Sequence, residues 1–454
     1  MDERTLRQTF VGQTLLDVAP LPAAVLDLAK LEVNCQRMID ATRRLGLLWR
    51  PHVKTHKTVQ LTRLQVGDSG DTPVNIVVST VAEATALLPL LQGYQSKGRS
   101  VDILYSFPLH SASIPGLIKI SKALGPDALT LMIDHLDQVK LLPSFVAAGA
   151  SPPRIFVKID TGYHRAGVLP GTDISNFILV EVNMAALEGH CIFHGLYSHA
   201  SQSYNANDSA AAMSFLADEF RGLQQVVSRF RGGMKKAKLV LSVGATPTAT
   251  TIQNLEDAGR DPAVKEMSAL LKEMRATGYA LEVHAGVYPT LDLQQLATHA
   301  RDDSLMTHSD IAITVLAEVA SLYEGRGRDG TTEALVTAGC LALGREPVQG
   351  GKDYPGWGIV APWNGYNGYK VPGADFPRVY GGWQVGRISQ EHGILTWVGD
   401  KKAEIPLKVG QKVRIWPNHA CIAGAGFGHY LVVDSRREGK EDEVVDVWCR
   451  ANGW

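Results

Sequence analysis

The stretch Leu129-Thr-Leu-Met-Ile-Asp134 is a short, almost wholly apolar run that ends on a carboxylate. A strand that is buried on both faces has this composition. It is one of eight β-rich runs, and each run precedes a stretch that could be helical. The runs are 49–56, 75–80, 102–107, 129–134, 154–160, 191–199, 238–244 and 279–285. Eight strands that alternate with helical patterns predict a parallel (β/α)8 barrel, with a doubly wound sheet as the alternative.

The pattern changes after about residue 305, where helical stretches give way to β-rich pieces. These pieces are 311–320, 333–339, 384–389, 394–397, 412–416, 431–433 and 444–448. We therefore predict an α/β fold with a barrel domain at 20–305 and a mostly β domain at 306–454. The early run 23–28 could pair with the second domain, so residues 1–30 are expected to pack there.

Composition and charge exclude several classes of function. The formal net charge is −1 and no basic patch is visible, so we expect no nucleic-acid partner. The absence of any apolar run of 18 or more residues predicts no membrane span. The first residues do not resemble a secretory signal. Five dispersed cysteines without a Cys-x-x-Cys pair suit a reducing compartment, so we predict a cytoplasmic protein that binds small molecules or other chains.

The first predicted strand, Arg50-Pro-His-Val-Lys-Thr-His-Lys57, carries polar groups at alternate positions. In a strand, Arg50, His52, Lys54 and His56 would share one face. A solvated edge strand is one interpretation. The other is a polar barrel mouth, in which neighbouring cations lower the pKa of Lys54 and make it a nucleophilic amine.

Three later turns could serve the same mouth, because barrel active sites lie at the carboxyl ends of the strands. Arg165 lies in the turn Asp160-Thr-Gly-Tyr-His-Arg-Ala-Gly167, which could equally be a surface turn. Gly244 and Thr246 follow the seventh strand, where small residues let the backbone approach a phosphate. Tyr288 follows the eighth strand and could supply a hydroxyl, or simply pack in an ordinary turn.

A metal pair is the last candidate, in Pro417-Asn-His-Ala-Cys421. His419 and Cys421 are two residues apart and would point the same way in an extended segment. Imidazole and thiolate suit zinc, and two ligands suit an open site rather than a closed structural one.

In this order the motifs resemble those of the D-threonine aldolase and D-serine dehydratase group, the fold-type III branch of pyridoxal-phosphate enzymes. The lysine motif at 50–57, the turn at 160–167, Ser389-Gln-Glu-His-Gly393 and the segment 417–421 carry the resemblance. Aldolases of the group have His-x-Asp and use manganese, whereas its eukaryotic dehydratases have His-x-Cys and use zinc. Two segments, 249–277 and 347–377, are longer than the family pattern and could alter substrate choice.

The resemblance implies pyridoxal 5′-phosphate bound to Lys54 as a Schiff base, Lys54 as the Cα base, and zinc on His419 and Cys421 as a Lewis acid. It implies Arg165 at the cofactor's phenolic oxygen and Gly244, Thr246 and Tyr288 at its phosphate. Further cofactor contacts, Tyr197, His199 and Tyr204, follow the sixth predicted strand. The expected activity is dehydration of D-serine to pyruvate and ammonia by a homodimer.

Other activities remain open from the residues alone. An aldolase that cleaves D-threonine-like substrates shares the fold and both cofactors, and Cys421 argues against it. A dehydratase for another D-3-hydroxy amino acid differs only around the β-carbon. An amino-acid racemase needs no metal but a second base, and a non-catalytic cofactor carrier needs neither.

Overall fold

The computed structural model describes residues 2–68, 72–229, 239–257, 261–348, 354–363 and 380–454. The chain forms two compact units. The barrel unit comprises Gln36–Gly286 and Ala451–Trp454, and the β unit comprises Met1–Cys35 and Val287–Arg450. Most of the long segment predicted at 347–377 lies outside the described residues.

The strands of the described residues are β1 (Ala23–Asp27), β2 (Leu48–Pro51), β3 (Val74–Val78), β4 (Val101–Pro108), β5 (Leu129–Ile133), β6 (Arg154–Lys158), β7 (Ile192–Tyr197), β8 (Val240–Val243), β9 (Ala280–Ala285), β10 (Ile313–Tyr323), β11 (Glu333–Val336), β12 (Gly358–Pro362), β13 (Gly382–Ile388), β14 (Gly393–Val398), β15 (Lys412–Pro417), β16 (His429–Val433) and β17 (Asp446–Cys449). The α-helices are α1 (Glu3–Phe10), α2 (Leu28–Arg44), α3 (Val59–Val66), α4 (Val81–Ser96), α5 (Ile114–Leu124), α6 (Leu136–Val139), α7 (Pro143–Ala147), α8 (Asp173–Leu187), α9 (Ser209–Arg229), α10 (Thr246–Thr250), α11 (Pro262–Ala276), α12 (Leu293–Ala297), α13 (Cys340–Leu343) and α14 (Ala420–Ala425).

The barrel unit contains an eight-stranded parallel sheet in the order β2-β9-β8-β7-β6-β5-β4-β3. Its two end strands, β2 and β3, meet just beyond the end of β2. There His52 forms an isolated parallel β-bridge with Val77, and the Val53 N–H donates to the Val77 carbonyl at 3.0 Å. Each of the eight predicted runs overlaps one strand of this sheet. The predicted (β/α)8 barrel is therefore confirmed. The segment 249–277 contains α11, which packs on α9 and β9 as a helix of the barrel repeat.

The first barrel strand is shorter than the sequence predicts. Regular pairing of β2 ends at Pro51, and Lys54 lies in the turn that follows. The turn is closed by the Lys57 N–H, which donates to the Val53 carbonyl at 2.8 Å, and Lys57 has φ +53°. The expectation that residues 50, 52, 54 and 56 share one strand face is therefore wrong, because alternation stops where the strand ends.

Arg50 is fully buried inside the barrel, which rules out the solvated edge strand. Its guanidinium lies 2.7 Å from the Glu282 carboxylate and 2.9 Å from that of Asp102. Thr130 donates a further hydrogen bond to Asp102 at 2.6 Å. These anionic partners offset the cost of burying the cation, which is severe for an unpaired charge.

The β unit is built on a nine-stranded sheet in the order β11-β14-β13-β12-β15-β10-β1-β16-β17. β1 pairs antiparallel with β10 and parallel with β16, so residues from the start of the chain complete this sheet. Its core packs aliphatic side chains against Trp383. Strand β12 was not predicted, because it lies in a segment rich in glycine, proline and tryptophan. Within the described ranges, no helix is both long enough and apolar enough to span a membrane.

Candidate active site

A cavity of about 540 Å³ opens in the barrel unit at the carboxyl ends of its strands. Its walls carry three cations, which are Lys54, Lys158 and Arg165. The other lining residues are His52, Ser79, Ser106, Phe107, Pro108, Ala166, Tyr197 and His199. In a parallel barrel this end is where the loops that carry chemistry converge, so the cavity is the candidate active site.

Lys54 lies at the cavity wall beside His52, whose Nδ1 accepts the Lys54 N–H at 3.3 Å. His56 does not line the cavity. It is buried against Thr58 and Gln65, and its Nε2 lies 3.0 Å from the Gln65 side-chain oxygen. The other lysine of the motif, Lys57, forms an ion pair with Glu83 at 3.0 Å. Of the two lysines in this motif, Lys54 is the one that lines the cavity.

The turn after β6 presents Arg165. Asp160 shapes this turn, because its carboxylate accepts the N–H groups of Gly162 and His164, each at 3.0 Å. Gly167 closes it at φ +111°, where a Cβ would lie 2.8 Å from the Asp160 nitrogen. The Asp and Gly positions of the motif are thus required by the turn, and the turn leaves Arg165 exposed at the cavity wall.

Lys158 is a cavity residue that the sequence analysis missed. It ends β6, is nearly fully buried, and its Nζ lies 5.0 Å from the centre of the Tyr197 ring. Burial, and next the charge of Arg165, lower the pKa of Lys158 to about 8. A lysine that directly follows the apolar run Ile155-Phe-Val157 was the signal available in the sequence.

Aromatic rings from β7, the loop after it and β9 stack beside these cations. The rings of Tyr197 and His284 lie 4.1 Å apart with 8° between their planes, and His199 lies 6.0 Å from His284. Burial, followed by nearby lysine charges, holds the pKa values of His52, His199 and His284 well below their usual range. These imidazoles are therefore neutral at neutral pH, because both burial and the surrounding cations disfavour a protonated ring.

The turn after β8 brings two backbones unusually close. Gly244 has φ +141°, and a Cβ there would lie 2.3 Å from the His284 carbonyl oxygen, so only glycine fits. The Gly244 N–H donates to the buried carboxylate of Glu219 at 3.2 Å. Thr246 begins α10 and is buried. This tightly held backbone is joined through His199 to the cavity wall, so it could hold the phosphate end of a cofactor.

Four predicted cofactor residues do not line the described cavity: Tyr204, Gly244, Thr246 and Tyr288. Tyr204 lies partly buried in the 3-10 turn Ser201–Asn205. Tyr288 belongs to the β unit, where its hydroxyl donates to the Cys35 Sγ at 4.0 Å. The structure thus brings Lys54, Arg165, Tyr197 and His199 together in one cavity.

The predicted metal pair lies in the β unit, between β15 and α14. His419 is partly buried, its Nδ1 has no hydrogen-bond partner, and its ring contacts the Cys421 thiol. Burial alone would lower the pKa of His419, but Cys421, Asp292 and Glu346 raise it to about 9. The Ala420 N–H donates to Asp292 at 2.8 Å, which fixes the backbone between the two residues.

These donors fit an open metal site. A buried imidazole nitrogen without a partner beside a thiol is a borderline-soft ligand set. No group of three or more metal-binding side chains occurs among the residues that the structure describes. Among the described residues, His419 and Cys421 thus offer two protein ligands, which suits a site with positions open to water or substrate.

Comparisons with known proteins agree with this fold. Residues 26–260 match the alanine racemase N-terminal domain, and residues 312–433 match a serine dehydratase domain. The chain is 36% identical to a D-serine dehydratase of Schizosaccharomyces pombe, over 100% of this chain and 96% of that protein.

Two solved structures extend the comparison. The D-threo-3-hydroxyaspartate dehydratase from Delftia sp. HT23 is 28% identical with a TM-score of 0.72, over 97% of this chain and 100% of that one. A cysteine-to-alanine variant of D-threo-3-hydroxyaspartate dehydratase, solved in its metal-free form, gives the same identity, coverage and TM-score. On the full-length match to the Schizosaccharomyces pombe protein, the chain belongs to the D-serine dehydratase family of pyridoxal-phosphate enzymes with the alanine-racemase-type barrel, and it is a dehydratase.

Proposed function

We propose that the protein dehydrates D-serine to pyruvate and ammonia, with pyridoxal 5′-phosphate on Lys54 and zinc on His419 and Cys421. The observation that carries the proposal is the cavity in which Lys54 lies beside neutral imidazoles and two further cations. The D-serine dehydratase of Schizosaccharomyces pombe, 36% identical along the whole chain, supports the substrate. That a related dehydratase variant was solved in a metal-free form supports a metal.

When bound, the cofactor supplies an electron sink for the substrate's Cα and zinc supplies a Lewis acid for its β-hydroxyl. The chain supplies the rest. The Lys54 amine would hold the cofactor and take the Cα proton, and Arg165 would face the cofactor's phenolic oxygen. The turn at Gly244 and Thr246 would hold the phosphate, with Tyr288 as a further candidate. Tyr197, His199 and Tyr204 would contact the ring.

The overall reaction is a dehydration of D-serine followed by a hydrolysis. D-serine loses its Cα hydrogen and its β-hydroxyl as water, and the resulting enamine takes up water and releases ammonia. A neutral His199 beside Lys54 can accept a hydrogen bond without adding charge to the cavity. The thiol ligand Cys421 favours zinc over the manganese of the His-x-Asp aldolases.

A dehydratase for D-threo-3-hydroxyaspartate is the second candidate. The relevant observation is Lys158, a buried cation at the cavity wall that could pair with an additional substrate carboxylate. The Delftia dehydratase, which is 29% identical over 95% of this chain, is named for that substrate.

We also propose a cytoplasmic homodimer. No disulfide forms among the five cysteines, all of which lie in the described residues, and this suits a reducing compartment. The dimer rests on the family resemblance and is tested by the mass of the purified protein in solution.

The test is to incubate the purified protein with D-serine, L-serine, D-threonine and D-threo-3-hydroxyaspartate, and to assay 2-oxo acids with and without a chelator. We expect pyruvate from D-serine, abolished by the chelator while the visible absorption of the cofactor persists. Glycine and an aldehyde from D-threonine, without 2-oxo acid, would point to an aldolase. Faster turnover of 3-hydroxyaspartate would favour the second candidate.

A further inference from the structure

Glu219 is a buried carboxylate that the proposed mechanism does not use. It lies in α9, the barrel helix that follows β7, and its side chain is fully inaccessible to solvent. Neighbouring helix residues such as Asp218 and Arg221 are exposed, as expected for a helix on the outside of a barrel. A glutamate on the inward face of such a helix is costly unless its oxygens are satisfied.

Four hydrogen-bond donors surround this carboxylate, and they come from two loops. Ser198 Oγ donates at 3.0 Å and the Ala200 N–H donates as well, both from the loop after β7. The Gly244 N–H and Thr248 Oγ1 donate at 3.2 Å each, both from the turn after β8. The two loops are also joined directly, because His199 Nδ1 lies 2.6 Å from the Gly244 carbonyl oxygen.

The bonds to Glu219 enclose the segment around Thr246. Gly244 and Thr248 stand two residues before and two residues after it. Thr248 Oγ1 in turn accepts the Ala245 N–H at 2.8 Å. Gly244 needs this restraint, because its left-handed φ and its approach to the His284 carbonyl leave the turn little tolerance for displacement.

We propose that Glu219 is a positioning residue for the cofactor's phosphate, because it holds the backbone on both sides of Thr246 in the conformation that receives the anion. The inference rests on the proposed function, in which Gly244 and Thr246 hold that phosphate. Glu219 itself does not touch the cofactor. Its hydrogen bonds run to the turn after β8 and to the loop that carries His199.

Charge repulsion between Glu219 and a bound phosphate is limited. Burial raises the pKa of Glu219 to about 7, against the opposing effect of its donors, so a large share of the groups is protonated at neutral pH. Lys158 is close enough for its charge to interact with Glu219. The carboxylate can therefore organise the turn without strongly opposing an anion there.

The experiment compares pyridoxal 5′-phosphate with pyridoxal, which lacks the phosphate, by spectroscopic titration of cofactor-depleted enzyme. The variants are Glu219→Ala, Glu219→Gln and the exposed neighbour Asp218→Ala as control. We expect Glu219→Ala to weaken binding of the phosphate form by about tenfold or more, because the turn loses the hydrogen bonds that hold it, and to leave pyridoxal binding within about twofold. Glu219→Gln should keep most of the affinity, because its amide oxygen can accept from Ser198 and Gly244. Asp218→Ala should match the wild type.

Equal losses for both ligands, or none, in Glu219→Ala would overturn the inference. If Glu219→Ala does not fold, Thr248→Val tests the same connection from the other side and should show the same selective loss. A wild-type enzyme that binds the cofactor on Lys54 while neither variant is selective would overturn the inference alone. A wild type that binds no cofactor would overturn the proposed function, and the inference with it.

Discussion

His199 donates its Nδ1 hydrogen to the Gly244 carbonyl oxygen, 2.6 Å away. A carbonyl oxygen can only accept, so this contact assigns the hydrogen to Nδ1. Burial and the charge of Lys54 hold the pKa of His199 well below its usual value, and the ring is neutral. The lone pair is therefore on Nε2, the nitrogen that can accept a hydrogen bond inside the cavity.

Replacing His199 by asparagine or by leucine distinguishes the roles of its two ring nitrogens. The asparagine amide can still donate to the Gly244 carbonyl, but it cannot supply an acceptor at the position of Nε2. We expect both variants to lose about tenfold in kcat, or about 1.4 kcal/mol, and only the leucine variant to bind pyridoxal 5′-phosphate more weakly. Steady-state rates with D-serine and cofactor titrations measure the two effects. Wild-type kcat in the asparagine variant would exclude a role for Nε2.

Lys54→Ala should remove the covalent link to the cofactor. The purified variant should lack the visible absorption of the lysine-bound cofactor, whereas Lys158→Met should retain it, because Lys158 lines the same cavity without being the attachment point in our proposal. Borohydride reduction of the wild type followed by peptide mapping gives a direct readout. An adduct on Lys57 or Lys158 would show that the wrong lysine has been assigned.

Gly244→Ala tests the close approach of the turn to β9. Gly98 is the matched control, because it also has a left-handed φ, +84°, but a Cβ there meets no atom within 4 Å. Both substitutions should cost about 1 kcal/mol or more in backbone strain, and only Gly244→Ala should add a steric clash and weaken cofactor binding. Thermal midpoints and cofactor titrations of the two variants report the difference. Equal stability of the pair would contradict the close approach.

The pH dependence of stability should contain a contribution from Lys158. Its pKa is about 8 in the folded protein and 10.5 in a free side chain. Between these values the unfolded chain binds more protons, so the free energy of unfolding rises with pH. The full difference is on the order of 3 kcal/mol. Relative to Lys158→Met, cofactor-free wild type should therefore become more stable from pH 8 to pH 10 in thermal melts, and a constant difference would refute the assignment.

Cys421→Asp should shift the metal preference from zinc towards manganese, because a carboxylate is a harder ligand than a thiolate. Pyruvate formation from D-serine should fall at least about tenfold, or about 1.4 kcal/mol of transition-state stabilisation. The assay adds each metal back to the metal-depleted variant. Cys340→Ala, at another partly exposed cysteine of the β unit, is the control. Undiminished zinc-dependent activity would mean that Cys421 is not a ligand.

The barrel was predictable because its strands are buried on both faces and leave continuous apolar runs, as at 129–134. Strand β12 was not, because its pairing with β13 and β15 is decided by partners distant in sequence rather than by its own glycine-rich surroundings. The sequence predicted that Lys54 faces the barrel mouth, but the reason, alternation along a strand, is wrong. The lysine reaches the cavity from a turn, whereas the strand alternation that suggested it ends at Pro51.

Two residues that sequence reasoning missed, Glu219 and His284, are buried ionisable side chains inside ordinary patterns. Glu219 lies in an amphipathic helix, where a glutamate is normally solvated, and only the contacts with Ser198 and Gly244 reveal its role. His284 lies one residue before the end of β9, and its stacking on Tyr197 depends on how β7 and β9 are placed in the barrel. Such positions are decided by tertiary structure and leave no local signal.

The placement of β1 has a consequence for how the chain is made. Residues 23–27 need β10 and β16 as partners, which leave the ribosome roughly 290 and 400 residues later. The whole barrel unit up to Gly286 is synthesised in the interval. Contacts that distant in sequence form late, since their loop-closure entropy must be overcome first. The amino-terminal strand β1 therefore remains without its partner strands through most of translation. During that time its edges are open to premature association with other chains.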